Sequence, residues 1–212
     1  MPAPQRALIV IDAQQEYFEG LLPIQFPSRE ESVARIAFAI DTAKAAGIPV
    51  VIVQHEYPEG APAFAAGSAT WENHPQIKDR EALADKHVSK RAASVFAGTD
   101  LADWLRERGV TTITLAGYMT NNCVLGSAAA AEPLEFAVEV LSDATGAIDL
   151  ANGAGSVSAQ QVHETLMALL HSNWAAVATT QAWAAAVTSG EVLTGGDLGT
   201  SAARGRAAHQ AG

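Results

Sequence analysis

The stretch "TITLAGYMTNNCVLGSAAAA" covers residues 112–131 and predicts a buried strand, a polar turn and a helix of small residues. Apolar and β-branched residues fill the strand with little polar alternation, which is typical of a parallel sheet covered on both faces. The small residues that follow could pack closely against such a sheet. The stretch therefore indicates a strand-turn-helix unit with polar residues at the carboxyl end of its strand.

Similar units are predicted on both sides of this stretch. Further apolar runs, of which the shortest is the weakest strand candidate, cover residues 7–12, 49–55, 87–90, 136–143 and 175–180. Helical segments separate them, and two of these begin with capping-box patterns, "SREE" and "SAQQ". The alternation predicts a doubly wound α/β sandwich, in which ligands bind outside the carboxyl ends of the strands.

Two segments depart from this alternation. Residues 56–86 contain three prolines and few helical signals, which predicts a long loop over the binding site. Residues 188–212 are rich in Gly, Ala and Thr and predict a mobile tail. We therefore expect a single domain over residues 1–187, followed by the tail.

Composition excludes several classes of protein. Of 212 residues 49% are hydrophobic and 17% are charged, which is typical of a globular protein, and the formal net charge is −10. The negative charge argues against nucleic acid and anionic membranes as partners. The first apolar run ends at Asp12, too early for a signal peptide or a membrane span, so we expect a cytoplasmic protein. A single cysteine excludes an intramolecular disulfide and a multi-thiolate zinc site.

Three chemically active residues follow predicted strands. Asp12 ends the first strand, Lys90 ends the shortest one, and Cys123 follows the strand at 112–117. Each alone has an ordinary interpretation: a turn aspartate, a solvated lysine and a buried cysteine. Because all three would share one edge of one sheet, they are a stronger signal together.

A base, a cation and a thiol are the groups that covalent acyl transfer needs. Asp12 would take the proton of the Cys123 thiol, and Lys90 would add positive charge beside it. A position in the first turn of a helix would favour the thiolate. The backbone N–H of Cys123, with another from the preceding turn, would hold an oxyanion.

The sequence resembles the isochorismatase-like cysteine hydrolases, a family that includes nicotinamidases and carbamoylsarcosine amidases. Four segments carry the resemblance in order and spacing: "ALIVIDAQQEYF", "SKRAASVFAGTDLADWL", "LAGYMTNNCVLGSAAAA" and "VEVLSDATGA". The resemblance covers residues 6–185. It implies a three-layer α/β/α sandwich with a central six-stranded, mostly parallel sheet.

The resemblance also implies roles for individual residues. Asp12, Lys90 and Cys123 correspond to the catalytic triad of the family. A cis peptide bond is implied between Tyr118 and Met119, which would direct the Met119 N–H toward an oxyanion beside that of Cys123. The family's vinyl-ether-cleaving isochorismatases lack a cysteine at this position, so Cys123 argues against that reaction.

The metal motif of the family's nicotinamidases, Asp-x-His, is altered in this chain. The segment "QHEYP" places His55 at the position of the aspartate and Tyr57 at that of the histidine, while His74 remains. Two scattered histidines without a matched carboxylate make a poor metal site. We therefore expect neither a metal nor another cofactor.

Five residues are candidates for contact with a substrate. Phe64, Trp71 and Tyr118 could form an aromatic wall. Gln54 and His55 end the second predicted strand and could form hydrogen bonds with a ligand. Trp71 could equally plug the loop, and a structural role is a fair alternative for His55.

We expect a cysteine hydrolase that cleaves a C–N bond of a small non-peptide amide through a thioester. One alternative is a hydrolase of a cyclic imide or ureido compound with the same triad, and another is a non-catalytic scaffold or binding protein. A thiol redox role has less support, because the sequence has no second cysteine to resolve a sulfenic acid. Alanine-rich helices and the resemblance favour a homo-oligomer, either a dimer or a tetramer.

Overall fold

The computed structural model describes residues 3–210, and a six-stranded sheet forms its centre. The strands of this sheet are β1 (Arg6–Ile11), β2 (Val50–His55), β3 (Lys86–Lys90), β4 (Thr112–Tyr118), β5 (Ala137–Gly146) and β8 (Ala176–Ala178). They run parallel in the order β3-β2-β1-β4-β5-β8. All six predicted strands are therefore confirmed, including the short one.

A small antiparallel hairpin follows β5 and was not predicted. It consists of β6 (Leu150–Asn152) and β7 (Gly155–Val157), and it contains the Gly-x-Gly of "NGAGSVS". Its strands have three residues each and are largely exposed. Short polar strands of this kind lack the hydrophobic pattern from which a strand is predicted.

Helices cover both faces of the sheet. They are α1 (Arg29–Ala45), α2 (Pro75–Lys78), α3 (Leu101–Glu107), α4 (Leu125–Ala131), α5 (Ala159–Asn173), α6 (Thr180–Ser189) and α7 (Leu198–His209). The two predicted caps are present: Ser28 Oγ accepts a hydrogen bond from the Glu31 N–H, and Ser158 forms a complete capping box with Gln161.

The alternate residues of β1 show why the sandwich has three layers. Ile9 and Ile11 pack in the hydrophobic cluster that includes α3 and α4, whereas Leu8 and Val10 pack in the cluster that includes α1 and Trp183 of α6. Both faces of the strand are thus buried against helices, which explains its continuous apolar sequence. The predicted three-layer α/β/α sandwich is confirmed.

Helix α7 lies within the predicted tail. Asp197 caps it by accepting a hydrogen bond from the Thr200 N–H at 2.8 Å, and no residue of the helix is buried. The domain boundary at residue 187 and the mobility of the tail stay predictions, and residues 1–2 and 211–212 lie outside the described part. Within residues 3–210, no helix is sufficiently long and apolar to cross a membrane.

Candidate active site

Asp12 lies in a sharp turn at the carboxyl end of β1. Its φ of 48° is in the left-handed region, which aspartate tolerates better than most residues, and its N–H donates to the Val53 carbonyl at 2.8 Å. Strand β4 approaches this turn closely because Gly117 has no side chain. A Cβ added at Gly117 would collide with the backbone of Ile11.

Cys123 lies in a π-helical turn, Thr120–Val124, between β4 and α4. Ser127, one turn further along, fixes the nucleophile's backbone because its Oγ donates to the Cys123 carbonyl at 2.6 Å. The same Oγ accepts the Val95 N–H at 3.1 Å. The thiol is thus held on a supported helical turn at the carboxyl end of the sheet.

Hydrogen bonds to the Met119 carbonyl hold the polar turn around Cys123. This oxygen accepts the N–H groups of Asn122 and Val124 at 3.1 and 3.2 Å. The Tyr118–Met119 peptide bond is cis. The proposed oxyanion role of the Met119 and Cys123 amides stays a prediction.

The ammonium group of Lys90 lies where the functional side chains meet. Its Nζ is 2.6 Å from Asp12 Oδ2, 3.0 Å from His55 Nδ1, 3.1 Å from the Ala92 carbonyl and 3.3 Å from Cys123 Sγ. Asp12, Lys90 and Cys123 are 0%, 2% and 1% exposed. The structure therefore brings the three predicted residues together in an enclosed site, as their shared sheet edge suggests.

The protonation of the pair Asp12 and Cys123 differs from the sequence-based expectation. Burial and, to a smaller extent, the negative charge of Asp12 raise the pKa of the Cys123 thiol to about 12, against the opposing charge of Lys90. Burial also raises the pKa of Asp12, against the charge of Lys90. The expected low thiol pKa was wrong because burial and the adjacent carboxylate outweigh the helical turn. The raised pKa favours the protonated thiol of Cys123 in the resting site.

His55 extends this site toward the loop. Burial, assisted by the charge of Lys90, lowers the pKa of His55 to about 4, so the imidazole is neutral at physiological pH. Its ring centroid lies 4.7 Å from that of Tyr57 and 4.9 Å from that of Phe64. Of the polar substrate-contact candidates, His55 reaches the triad, whereas Gln54 donates to the Trp71 carbonyl at 3.2 Å.

The three aromatic candidates occupy different positions. The buried Phe64 ring contacts His55, and the Trp71 Nε1 is enclosed without a hydrogen-bond partner among residues 3–210. The Tyr118 hydroxyl lies 2.7 Å from Ser32 Oγ of α1 and is hydrogen-bonded to it. Substrate contact by all three stays a prediction, although the hydroxyl of Tyr118 already has a protein partner.

Two buried residues near the site were missed by the sequence analysis. Gln14 Oε1 accepts the His55 N–H at 2.8 Å, and its Nε2 donates to the carbonyls of His55 and Trp71 at 3.0 and 2.7 Å. Tyr17 packs against Phe64, and burial followed by the charges of the Asp12–Cys123 pair raises its pKa. Both belong to "DAQQEYF", where polar residues directly after a strand were the available signal.

The altered metal motif does not form a metal site. His55, Asp12 and Cys123 each offer one possible ligand atom, and these three atoms lie within 4.8 Å of one another. Lys90 Nζ already lies among these atoms and places a positive charge where a cation would bind. Tyr57 is 40% exposed, and the His74 ring packs at a tilt against Phe18, with 4.3 Å between the ring centroids. These donors do not fit a metal ion.

Comparison with known proteins places this chain in a family. The model of the isochorismatase domain matches residues 6–182. A secreted isochorismatase effector of Verticillium dahliae is 36% identical over 143 residues, which cover 68% of this chain and 73% of that protein. The maleamate amidohydrolase of Pseudomonas putida is 31% identical over 154 residues, or 66% of this chain and 71% of that enzyme.

A solved structure agrees with these sequence matches. The crystal structure of a candidate isochorismatase from Burkholderia xenovorans LB400 is 46% identical and superposes with a TM-score of 0.95, covering 98% of this chain and 99% of that one. Because the domain model spans most of the chain and the fold agrees over nearly all of it, this protein belongs to the isochorismatase family.

Proposed function

We propose that this protein is a cysteine hydrolase that cleaves a C–N bond of a small non-peptide amide. One observation carries the proposal. In an enclosed site, the ammonium nitrogen of Lys90 lies 2.6 Å from a carboxylate oxygen of Asp12 and 3.3 Å from the sulfur of Cys123. The relation to a maleamate amidohydrolase, an enzyme named for an amide substrate, supports the same class of reaction.

Acylation begins with Asp12 as the base. As Cys123 Sγ attacks the amide carbon, its proton moves to the Asp12 carboxylate, and the carbonyl oxygen becomes an oxyanion. The N–H groups of Met119 and Cys123 would bind this oxyanion. Asp12 then returns the proton to the nitrogen, the C–N bond breaks, and the amine leaves a thioester behind.

Deacylation uses the same groups in the opposite direction. Asp12, now ionised, takes a proton from a water molecule as its oxygen attacks the thioester carbon. The C–S bond breaks, and the sulfur takes the proton back from Asp12. The sum is one amide and one water converted to one acid and one amine.

The direct experiment is a panel of small compounds incubated with the protein, with release of ammonia or ureido cleavage as the measurement. Maleamate and other short primary amides form the first group, and cyclic imides and ureido acids form the second. Turnover of the first group supports the proposal, and turnover of the second alone supports the alternative substrate class. Turnover of neither group, with a Cys123→Ala variant that retains every cellular phenotype, would favour the scaffold.

We also propose that the protein is a cytoplasmic homo-oligomer. Light scattering would measure the mass of the assembly.

The charges around the thiol predict opposite shifts in its alkylation profile. In wild type, the rate of Cys123 alkylation by iodoacetamide should keep rising with pH beyond the pKa of an ordinary thiol, about 8.5, because the thiol pKa is raised to about 12. Asp12→Asn removes a negative charge and should move the profile to lower pH. Lys90→Met removes a positive charge and should move it to higher pH.

A surface variant controls for the change in net charge. Asp103→Asn removes a carboxylate whose side chain is 81% exposed and pairs with Arg106, and it should leave the profile unchanged. Shifts of the same sign in the two site variants, or no shift in either, would contradict the proposed arrangement.

A further inference from the structure

We propose that Lys90 holds His55 in one tautomer, with a proton on Nε2, and that His55 presents this N–H to a hydrogen-bond acceptor of the substrate. The proposal deepens the function proposed above and rests on it. His55 would act as a positioning residue toward Lys90 and as a contact residue toward the substrate.

The tautomer follows from the atoms around Lys90. His55 Nδ1 lies 3.0 Å from Lys90 Nζ, and an ammonium group can only donate in this hydrogen bond. A hydrogen bond from Lys90 therefore requires Nδ1 without a proton, and a neutral imidazole then carries its proton on Nε2. Burial and the charge of Lys90 disfavour the doubly protonated ring, consistent with this state.

The same contact restrains the ammonium group. Lys90 has three protons and four nearby acceptors: Asp12 Oδ2, His55 Nδ1, the Ala92 carbonyl and Cys123 Sγ. Of the four, Cys123 Sγ is the most distant, so the three oxygen and nitrogen acceptors can accept the three protons in the resting site. His55 thus helps to hold the Lys90 ammonium group in a fixed direction, facing the Cys123 sulfur when that sulfur becomes a thiolate.

The other ring nitrogen of His55 is available to a ligand. Within residues 3–210, Nε2 has no hydrogen-bond partner, and it is not among the side-chain atoms that are both enclosed and unpartnered. The side chain is 8% exposed, and its ring contacts Phe64 in the loop after β2. The ring is held in place by the contact of Nδ1 with Lys90 and by packing against Tyr57 and Phe64. A carbonyl or carboxylate oxygen is the matching substrate group.

Nitrogen-15 NMR of histidine-labelled protein tests the tautomer directly. Wild type at neutral pH should show a His55 Nδ1 without a proton and a protonated Nε2. In Lys90→Met, Nδ1 loses its donor, so the Nδ1-protonated or doubly protonated form should gain population. His171 is the internal control, since its Nδ1 accepts the backbone N–H of Val177 at 3.1 Å and should not change. A protonated Nδ1 in wild type would overturn the proposal even if the variant failed to fold.

The contact with an acceptor is tested by two alkylating agents. Iodoacetamide has a carbonyl acceptor, whereas 1-iodopropane has none. Both react with the thiolate of Cys123, so the ratio of their rates cancels changes in the thiolate fraction and reports the contact with the carbonyl. His55→Asn retains an acceptor near the position of Nδ1 but loses the distal donor, and the ratio should fall about threefold to tenfold. His55→Gln can place an N–H near the position of Nε2 and should restore part of the ratio.

An unchanged ratio in His55→Asn would exclude the substrate contact. Neither measurement needs turnover, so their failure is separate from failure of the hydrolase proposal. A protein that hydrolyses no amide but shows the locked tautomer and the altered ratio would retain this inference as a property of its thiol site.

Discussion

Cys123→Ala should lower amide hydrolysis more than about a thousandfold while the fold stays intact. The variant removes the atom that forms the thioester, and Asp12 alone cannot supply an equivalent nucleophile. The lost sulfur leaves only a small cavity, so the far-ultraviolet circular dichroism should match wild type. Product release under saturating amide measures the loss.

Two further variants separate the nucleophile from its surroundings. Cys123→Ser keeps the size of the side chain but provides a much weaker nucleophile at the same position, and it should be nearly as inactive as alanine. Ser127→Ala retains the thiol and loses only the bond to the Cys123 carbonyl, so it should cost far less. If Cys123→Ala retained more than a few per cent of activity, the thioester mechanism would be refuted.

The sheet could be predicted because burial on both faces makes each strand a continuous apolar run. Strand β1 shows this most clearly, since Leu8 and Ile9 point into different clusters and both must be apolar. The hairpin β6-β7 lacks such a run, and helix α7 has no buried residue that would give it an apolar stripe. Their formation depends on local turn and capping geometry that a hydrophobic pattern does not report.

The meeting of Asp12, Lys90 and Cys123 could be predicted for a topological reason. The carboxyl ends of parallel strands share one edge, so residues distant in sequence become neighbours there. The environment of these residues could not be predicted in the same way. The raised thiol pKa depends on how tightly the site is enclosed, which residue types alone do not determine. The contact between His55 and Lys90 follows from the register of β2 and β3, in which the two residues are direct partners.

Lys90→Met should lower hydrolysis at neutral pH more than about a hundredfold, because the base becomes protonated. Burial raises the pKa of Asp12, and Lys90 opposes this most strongly, with a smaller contribution from the hydrogen bond with Cys123. Without the ammonium the pKa rises further, so the acidic limb of the pH–rate profile should move to higher pH. Activity measured from pH 5 to 10 should partly recover at the alkaline end. Asp12→Asn should show no such recovery, since it has no carboxylate to ionise.

The same substitution should change how stability depends on pH. A carboxyl whose pKa is higher in the folded than in the unfolded state binds more protons when folded, so stability falls as pH rises between the two values. Lys90→Met extends this interval upward, and its free energy of unfolding in urea should therefore decline further with pH than that of wild type. The double variant Asp12→Asn/Lys90→Met removes the titrating group and the buried charges together. Below about pH 8.5, where the Cys123 thiol does not yet titrate, the double variant should lose the decline that Asp12 causes. It should remain inactive, because hydrolysis needs both charges whereas folding needs neither. A double variant that still declined with rising pH in this range would assign the slope to another group and refute the role given to Lys90.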